Sequence, residues 1–519
     1  MLGLRLRAGK AEPARPGPAK PGRAQPFTDS ARVEVDLGAQ RGGDQGSAQL
    51  DREIVRMAWP VIVSLLLVNA MELLDIAMVG RLGRDPVAAV GYAAQFMHML
   101  VSSLQAISIA AVALMARAIG AHDLIRARAA YAATRGFALG LSGLAALGVL
   151  LAPRLPLNLL GAEPQVVELC VPYFQLVICS GVVVALNSSF ESAQRAQKNT
   201  RIPLLAVLAM VVVKIGLNCL LVLGMAGFPR LELIGAGIAT LAAHSAALLV
   251  YLALDSRAAR TSPAREDPAD ASLCAHAVRP SLRALGEQPR VMQDMLRVAL
   301  PALGERLVMN LALLSYFAIL SRGYGGSAIA AYAIGVRLLA FSWIPGLGFS
   351  VAAATLVGQA LGAAQPERAR QAGWRSVRLA LAIMALLGVA CAFFRDGLAS
   401  SFTADPTIIA DLSPFLLTLA VAQPFMGVHF TLSGALRGAG DTVTPFLAAS
   451  VGNWCLRVPL AWWFASSGAG LIWVWGALVG DHVVRCVWSV VAFRAGRWAR
   501  RAAAQLGLSQ AQASVGVGR

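Results

Sequence analysis

The sequence predicts an all-α integral membrane protein with about twelve transmembrane helices, arranged as two parallel six-helix repeats that form an N-lobe and a C-lobe. Three observations predict this fold: long apolar runs, basic residues in alternate loops, and similar segments about 242 residues apart. Of the 519 residues, 57% are hydrophobic and 14% are charged, whereas soluble domains carry about 25% charged residues. This composition excludes a soluble protein.

The apolar runs supply the helices, because a helix that crosses a bilayer needs about 20 apolar residues. The predicted spans are 54–80, 88–114, 130–152, 166–192, 203–225, 233–254, 297–320, 328–355, 376–394, 413–434, 445–466 and 470–493. The expected divisions are a disordered basic cytoplasmic tail at 1–50, the N-lobe at 51–255, a cytoplasmic linker at 256–296, the C-lobe at 297–495 and a cytoplasmic tail at 496–519.

The basic residues that give the chain its net charge of +17 lie mainly in the loops. If the N-terminus is cytoplasmic, the outside loops hold six arginines. The inside loops then hold seven arginines between 257 and 297, and also Arg126, Arg128, Arg195, Lys198, Arg201, Arg368, Arg370, Arg375 and Arg437. This positive-inside bias predicts that both termini are cytoplasmic. It also accounts for the charge without nucleic acid as a partner.

Two pairs of segments reveal the repeat. GAHDLIRAR at 120–128 resembles GAAQPERAR at 362–370, and RAQKNTRIP at 195–203 resembles RGAGDTVTP at 437–445. Both pairs are offset by 242 residues, so the chain contains two similar halves. Six helices in each half make the repeats parallel, and transporters place substrate at the interface of such repeats. This construction favours a transporter with alternating access.

The first span carries unusual polar groups. Asn69, Glu72 and Asp75 are spaced by three residues and share one broad helix face. A carboxylate at the membrane centre costs about 2.5–3.5 kcal/mol on insertion scales, so the two acids are functional candidates. The alternative is an interhelical hydrogen bond that only holds the bundle together.

Several motifs then identify a family. The chain resembles the multidrug and toxic compound extrusion (MATE) family in LLDIAMVGRLG at 73–83, GFSVAAATLVGQALGA at 348–363, SGALRGAGDTVTP at 433–445 and GNWCLRVPLA at 452–461. The resemblance covers about 52–495. It implies two six-helix lobes in a bacterial inner (plasma) membrane. It also implies export of small organic compounds, often cationic, in exchange for H⁺ or Na⁺, with no cofactor.

The resemblance also implies an ion site in the N-lobe. The family's first-helix aspartate matches Asp75, and the proline at which that helix bends matches Pro60. The partners on the fifth and sixth helices fall at Asn218 and Thr240, and Lys214 replaces the asparagine that is common one turn earlier. Glu72 is included in this site as a neighbouring acid, and a Na⁺ ion at Asp75 is one alternative.

Lys214 changes the expected chemistry. If its ammonium reaches Asp75 or Glu72, it takes the electrostatic place of a Na⁺ ion. Burial and a nearby lysine act in opposite directions on the proton affinity of a carboxyl group, so we expect H⁺ rather than Na⁺ coupling. The alternative is that Lys214 snorkels toward an interface.

The second lobe offers Glu305, since some branches of the family use a glutamate in the seventh helix for coupling. Glu305 lies four residues past Pro301, so it is either a coupling residue or part of a structural pair near the cytoplasmic end. The tenth helix lacks the acid that part of the family uses. Asp75 is therefore the main candidate for the coupling residue.

A flippase, an enzyme and an ATP-driven pump are the alternatives to an efflux transporter. A flippase for a lipid-linked saccharide shares the architecture and would need cations in its cavity, for which Lys214, Arg337 and Arg457 are candidates. The sequence lacks HExxH and GxSxG motifs, so an enzyme is not expected, and it lacks the GxxxxGK[ST] loop of an ATP-driven pump. We expect a monomer, because one chain supplies both lobes.

Overall fold

The computed structural model describes the backbone of residues 29–261 and 282–505, and the side chains of 46–256 and 289–502 apart from Arg81 and Ala226. No β-strand occurs in these ranges. The helices of the first half are α1 (Asp29–Val79), α2 (Arg84–Gly120), α3 (Leu124–Leu151), α4 (Arg154–Leu159), α5 (Pro164–Ala196), α6 (Arg201–Leu217) and α7 (Glu232–Thr261). The second half contains α8 (Leu282–Gly323), α9 (Gly325–Ser342), α10 (Ile344–Gly362), α11 (Pro366–Phe402), α12 (Pro406–Gly438), α13 (Val443–Ser450), α14 (Val458–Ser466), α15 (Leu471–Arg494) and α16 (Arg497–Gln505).

The prediction of about twelve membrane helices is confirmed. Eleven segments of the described chain are long and apolar enough to cross a membrane, with α9 and α10 forming one of them. The twelfth is the run from α13 to α14, which a π-helical stretch at Val451–Arg457 divides. A second π-helical stretch, Asn218–Val222, ends the fifth span. Such stretches widen the helix and occur often at functional sites.

The expected tails and linker are only partly visible. Helix α1 begins at Asp29, inside the stretch expected to be a tail, because helical hydrogen bonding extends by one bond per residue from a formed helix. Residues 1–28 and 262–281 lie outside the described residues. Beyond 496, α16 packs on the second half, where Trp498 stacks on Phe493 with ring centroids 4.7 Å apart.

Helix α1 contacts both halves of the chain. Its early residues, Leu50 to Ala58, belong to an apolar cluster built mainly from α10, α11 and α12. Farther along, Val68 and Met71 pack against the cluster of α2, α3, α5 and α7. Pro60 lies close to the point where α1 passes from one cluster to the other. Because proline has no backbone N–H, it cannot donate a hydrogen bond to the carbonyl of Arg56. The helix is therefore weakest near the point where it passes from one lobe to the other.

Helix α8 repeats this arrangement in the opposite sense. Val291, Met295 and Val298 pack in the cluster of the first half. Tyr316 and Leu320 pack in a cluster of the second half, together with residues of α9, α12 and α15. Each lobe therefore packs against one segment of a helix, 50–58 of α1 or 291–298 of α8, whose following residues pack against the other lobe.

The lobes meet at one end of the bundle, which we call the basic end (loops 121–123, 197–200, 363–365 and 439–442). A Cβ added at Gly120 would lie 2.0 Å from the carbonyl oxygen of Gln359, and one at Gly362 would lie 2.0 Å from that of Arg117. Only glycine permits backbones to approach so closely. The side-chain amide of Gln359 also donates to the carbonyl of Ala196 at 2.7 Å.

Ion pairs reinforce this end. The Lys198 ammonium lies 2.6 Å from Glu53 in the middle of α1. Arg375 of α11 lies 2.9 Å from Asp51. Both carboxylates belong to the part of α1 that packs on the second half, so this end is closed by backbone contact and by charge.

The glycine contacts generate a prediction about closure. Gly362→Ala is expected to lengthen the distance between the lobes at the basic end, because the new Cβ collides with the Arg117 carbonyl. Spin labels on Ile125→Cys and Arg368→Cys, both exposed positions of opposite halves, would report that distance in a cysteine-free background.

Gly397→Ala in α11 is the matched control, since nothing lies within 4 Å of its added Cβ. It should leave the distance unchanged. Equal distance distributions for Gly362→Ala and the parent would contradict the proposed role of this contact.

Candidate ion-coupling site

Three helices bring the candidate site together. Asp75 lies one turn before the end of α1, and Lys214 lies in the last turn of α6. Asn218 follows Lys214 by four residues, so both side chains leave the same face. Thr240 extends from α7, which packs along α6.

The Lys214 ammonium is enclosed by oxygen atoms. Its Nζ lies 3.3 Å from Asp75 Oδ1 and donates to the Ala236 carbonyl at 3.3 Å. It also donates to the Thr240 hydroxyl, which in turn donates to the Ala236 carbonyl at 2.8 Å. An ammonium has three N–H donors, and three acceptors surround this one. The Lys214 side chain is 4% exposed and that of Asp75 is 20% exposed, so Lys214 does not snorkel out of the bundle.

Asn218 completes the pair. Its amide nitrogen donates to Asp75 Oδ1 at 2.7 Å. Its own Oδ1 is buried and has no hydrogen-bond partner among the described residues. A buried acceptor without a donor is costly.

Glu72 occupies a different position. It is exposed and forms no ion pair with a described residue, although it interacts electrostatically with Asp75. The structure therefore brings Asp75, Lys214, Asn218 and Thr240 together and leaves Glu72 beside them. Its role in coupling stays a prediction.

Sequence reasoning missed two neighbours of the site. Tyr173 of α5 is buried and interacts electrostatically with Asp75. The Ala236 carbonyl binds the ammonium, and no side-chain pattern could reveal a backbone acceptor.

The repeat places different chemistry at the equivalent point of the second lobe. Tyr316 follows Asp75 by 241 residues. The Arg457 guanidinium lies 4.4 Å from the centroid of the Tyr316 ring and donates to the Tyr332 hydroxyl at 3.3 Å. Nearby, Asp481 and Arg485 form a two-pronged pair with distances of 2.6 and 2.8 Å. An aromatic ring here replaces the carboxylate of the first lobe.

Glu305 is engaged elsewhere. Its Oε1 accepts from Arg437 at 2.6 Å, and both side chains are largely buried, with 10% and 13% exposed. The pair ties α8 to the last turn of α12 at the basic end. This contact favours the structural alternative for Glu305.

Comparison with known proteins agrees with the geometry. The MatE family model matches residues 60–220 and 301–463, more than half of the chain and both repeats. The chain belongs to the MatE family. Its family and structural neighbours are transporters, so the resemblance found in the sequence is confirmed.

Individual relatives span nearly the whole chain. A probable multidrug resistance protein NorM of Bradyrhizobium diazoefficiens is 30% identical over 442 residues, covering 83% of this chain and 90% of the relative. Another, from Thermotoga maritima, is 25% identical over 468 residues, covering 88% and 94%. The MATE transporter VcmN of Vibrio cholerae in its bent form shares the fold with a TM-score of 0.77, 20% identity and coverage of 89% and 99%. The protein is thus a multi-span membrane transporter with two six-helix lobes.

The buried pair generates a stability prediction. Asp75→Asn leaves the Lys214 ammonium without its counter-charge and should lower the free energy of unfolding by about 3 kcal/mol. In the double variant Asp75→Asn/Lys214→Met, no buried charge remains, so at least half of that loss should return. Unfolding in mixed micelles would measure both values.

Glu168→Gln is the control, because Glu168 forms an exposed pair with Arg154 at 2.8 Å. Exposed pairs contribute about 0–1 kcal/mol. If the double variant is no more stable than Asp75→Asn, the two side chains are not energetically coupled.

Proposed function

We propose that the protein is a proton-coupled antiporter that exports small organic compounds, often cationic, by alternating access between its two lobes. The observation that carries this proposal is the Lys214 ammonium among the oxygen atoms of Asp75, Thr240 and Ala236. It supports H⁺ rather than Na⁺ as the coupling ion.

A sodium ion at this site would need these same oxygen atoms as ligands. Each of them is already occupied by an N–H of Lys214. Two unit positive charges about 4 Å apart repel each other by roughly 4 kcal/mol at an effective dielectric constant of 20. Sodium binding would therefore require the ammonium to leave, whereas a proton requires only a free carboxylate oxygen.

Protonation of Asp75 would couple ion binding to a movement of α1. A neutral carboxyl loses most of its attraction for Lys214, which releases the outer part of α1 from α6. The early part of α1 remains packed on the second lobe. The bend would then occur near Pro60, where the helix lacks one backbone hydrogen bond. Substrate and proton would favour different states of this helix, which is sufficient for exchange.

The direction of transport follows from charge and closure. The positive-inside bias supports a cytoplasmic position for the basic end, and the lobes contact each other at this end. The state described here is then closed to the cytoplasm and ready to receive protons from outside. The bacterial sources and the multidrug resistance names of the relatives support export across an inner membrane. One chain contains both lobes, which supports a monomeric unit.

The flippase alternative is weaker. Of its three candidate cations, Lys214 is enclosed within the N-lobe site and Arg457 is 7% exposed beneath Tyr316. Arg337 alone is exposed. A pyrophosphate would need several cations that are accessible in one cavity.

Reconstituted liposomes loaded with a fluorescent cationic dye would test the coupling ion. A pH gradient alone should drive dye efflux by the wild type, and a Na⁺ gradient alone should not. Asp75→Asn should reduce pH-driven efflux at least tenfold, because the proton-binding carboxyl group is absent. Lys214→Asn restores a neutral amide ligand and should introduce Na⁺-driven efflux.

Glu305→Gln is the matched control, since it also removes one buried intramembrane carboxylate. It should retain pH-driven efflux if the protein folds, which its elution as a single species would show. Na⁺-driven efflux by the wild type would overturn the choice of ion. Translocation of a lipid-linked saccharide, with no dye efflux under either gradient, would support a flippase instead.

A further inference from the structure

A cavity opens at the basic end between α2, α3, the first turns of α8 and the loop before α13. It has a volume of about 100 Å³ and adjoins a second cavity of about 330 Å³, with which it shares Arg126, Asp294 and Arg297. Residues of both lobes line it, because Arg126 belongs to α3 and Gly440 to the loop after α12. None of these residues belongs to the proposed ion site.

The lining carries an excess of positive charge. Its charged side chains are four arginines and two aspartates: Arg117, Arg126, Arg290, Arg297, Asp123 and Asp294. Both aspartates are already engaged. Asp294 lies 3.0 Å from Arg126 and 3.9 Å from Arg297, and Asp123 caps α3 by accepting from the Arg126 backbone N–H at 2.9 Å. Among the described residues, the two adjoining cavities together therefore carry a net charge of +2, and Arg126 and Arg297 share the carboxylate of Asp294.

The repeat supplies a built-in comparison. A cavity of about 240 Å³ lies at the equivalent place in the other half, with Arg368 in the position of Arg126 and Glu53 in that of Asp294. Its charged lining consists of Glu53, Lys198 and Arg368, and Lys198 is paired with Glu53 at 2.6 Å. Each of the two equivalent cavities alone carries one more cationic than anionic side chain, and the adjoining second cavity beside α8 contributes a further cation, Arg290.

We propose that the cavity beside α8 binds a phosphate-bearing anion, either the headgroup of an anionic phospholipid or soluble phosphate. Guanidinium groups bind phosphate oxygens through paired N–H donors. Basic pockets between transmembrane helices at the cytoplasmic surface are suited to lipid headgroups. The position agrees, since the cavity lies at the turn between α2, which ends at Gly120, and α3, which begins at Leu124, at one end of two membrane-spanning helices.

Binding would act on the conformational equilibrium. Residues of α2 and α3 line the cavity together with Gly440 of the α12–α13 loop, so an anion held there would stabilise the state that is closed at the basic end. A ligand that binds one state alone stabilises it in proportion to the logarithm of its concentration above the dissociation constant. This inference concerns lobe closure and does not depend on the coupling ion.

The test uses the purified full chain in detergent, with thermal unfolding and native mass spectrometry as readouts. Phosphatidylglycerol should raise the melting temperature by several degrees and remain bound in the spectrum, whereas phosphatidylcholine should do neither. Arg290→Gln/Arg297→Gln removes two exposed cations, of which Arg297 lies 3.9 Å from Asp294, a carboxylate that keeps its 3.0 Å pair with Arg126, so folding should be unaffected. This variant should lose at least two thirds of the temperature shift.

Arg322→Gln/Arg395→Gln is the matched control, because it removes the same charge at the other end of the bundle, from exposed Arg322 and from Arg395, whose side chain is 39% exposed and 3.7 Å from Asp396. It should keep the full shift. Inorganic phosphate that reproduces the shift, with loss in the cavity variant only, would assign the soluble form of the anion. Equal shifts with both lipids, or equal loss in the cavity variant and the control, would overturn the proposal.

Discussion

The buried ammonium of Lys214 is the constraint on which the N-lobe depends. A charge removed from water and membrane surface alike must be paired and fully hydrogen-bonded. Asp75 supplies the counter-charge from α1, while Thr240 and the Ala236 carbonyl supply the remaining acceptors from α7. One cation thereby sets the positions of three helices. The same requirement makes the charge state of Asp75 a property of the whole lobe.

The two lobes have the same architecture and different electrostatics. In the first lobe, the Asp75 carboxylate faces the Lys214 ammonium. At the matching point of the second lobe, Arg457 lies over the ring of Tyr316, and Asp481 is held by both arms of Arg485. Aromatic packing and a two-pronged ion pair form a rigid scaffold. The repeat has therefore preserved the packing of the helices while the polar chemistry has diverged.

The sequence was sufficient for the helix count, the repeat and the acids of the first span, because apolar length and helical spacing are local properties. It left the position of Lys214 open, since periodicity shows that residues share a face but not which helix that face meets. The Ala236 acceptor and the burial of Tyr173 depend on neighbours distant in sequence. The pairing of Glu305 with Arg437 bridges 132 residues and was equally hidden.

The exchange of helix beginnings between the lobes has a consequence for biosynthesis. The early turns of α1, from Leu50 to Ala58, are completed at the ribosome long before α10, α11 and α12, against which they pack, have been made. The first half cannot reach its final packing alone. Until α10, α11 and α12 are made, these turns contact lipid or the insertion machinery instead. The packing of these turns against the second half is therefore a late step. A separately expressed first half would leave their apolar side chains without a partner.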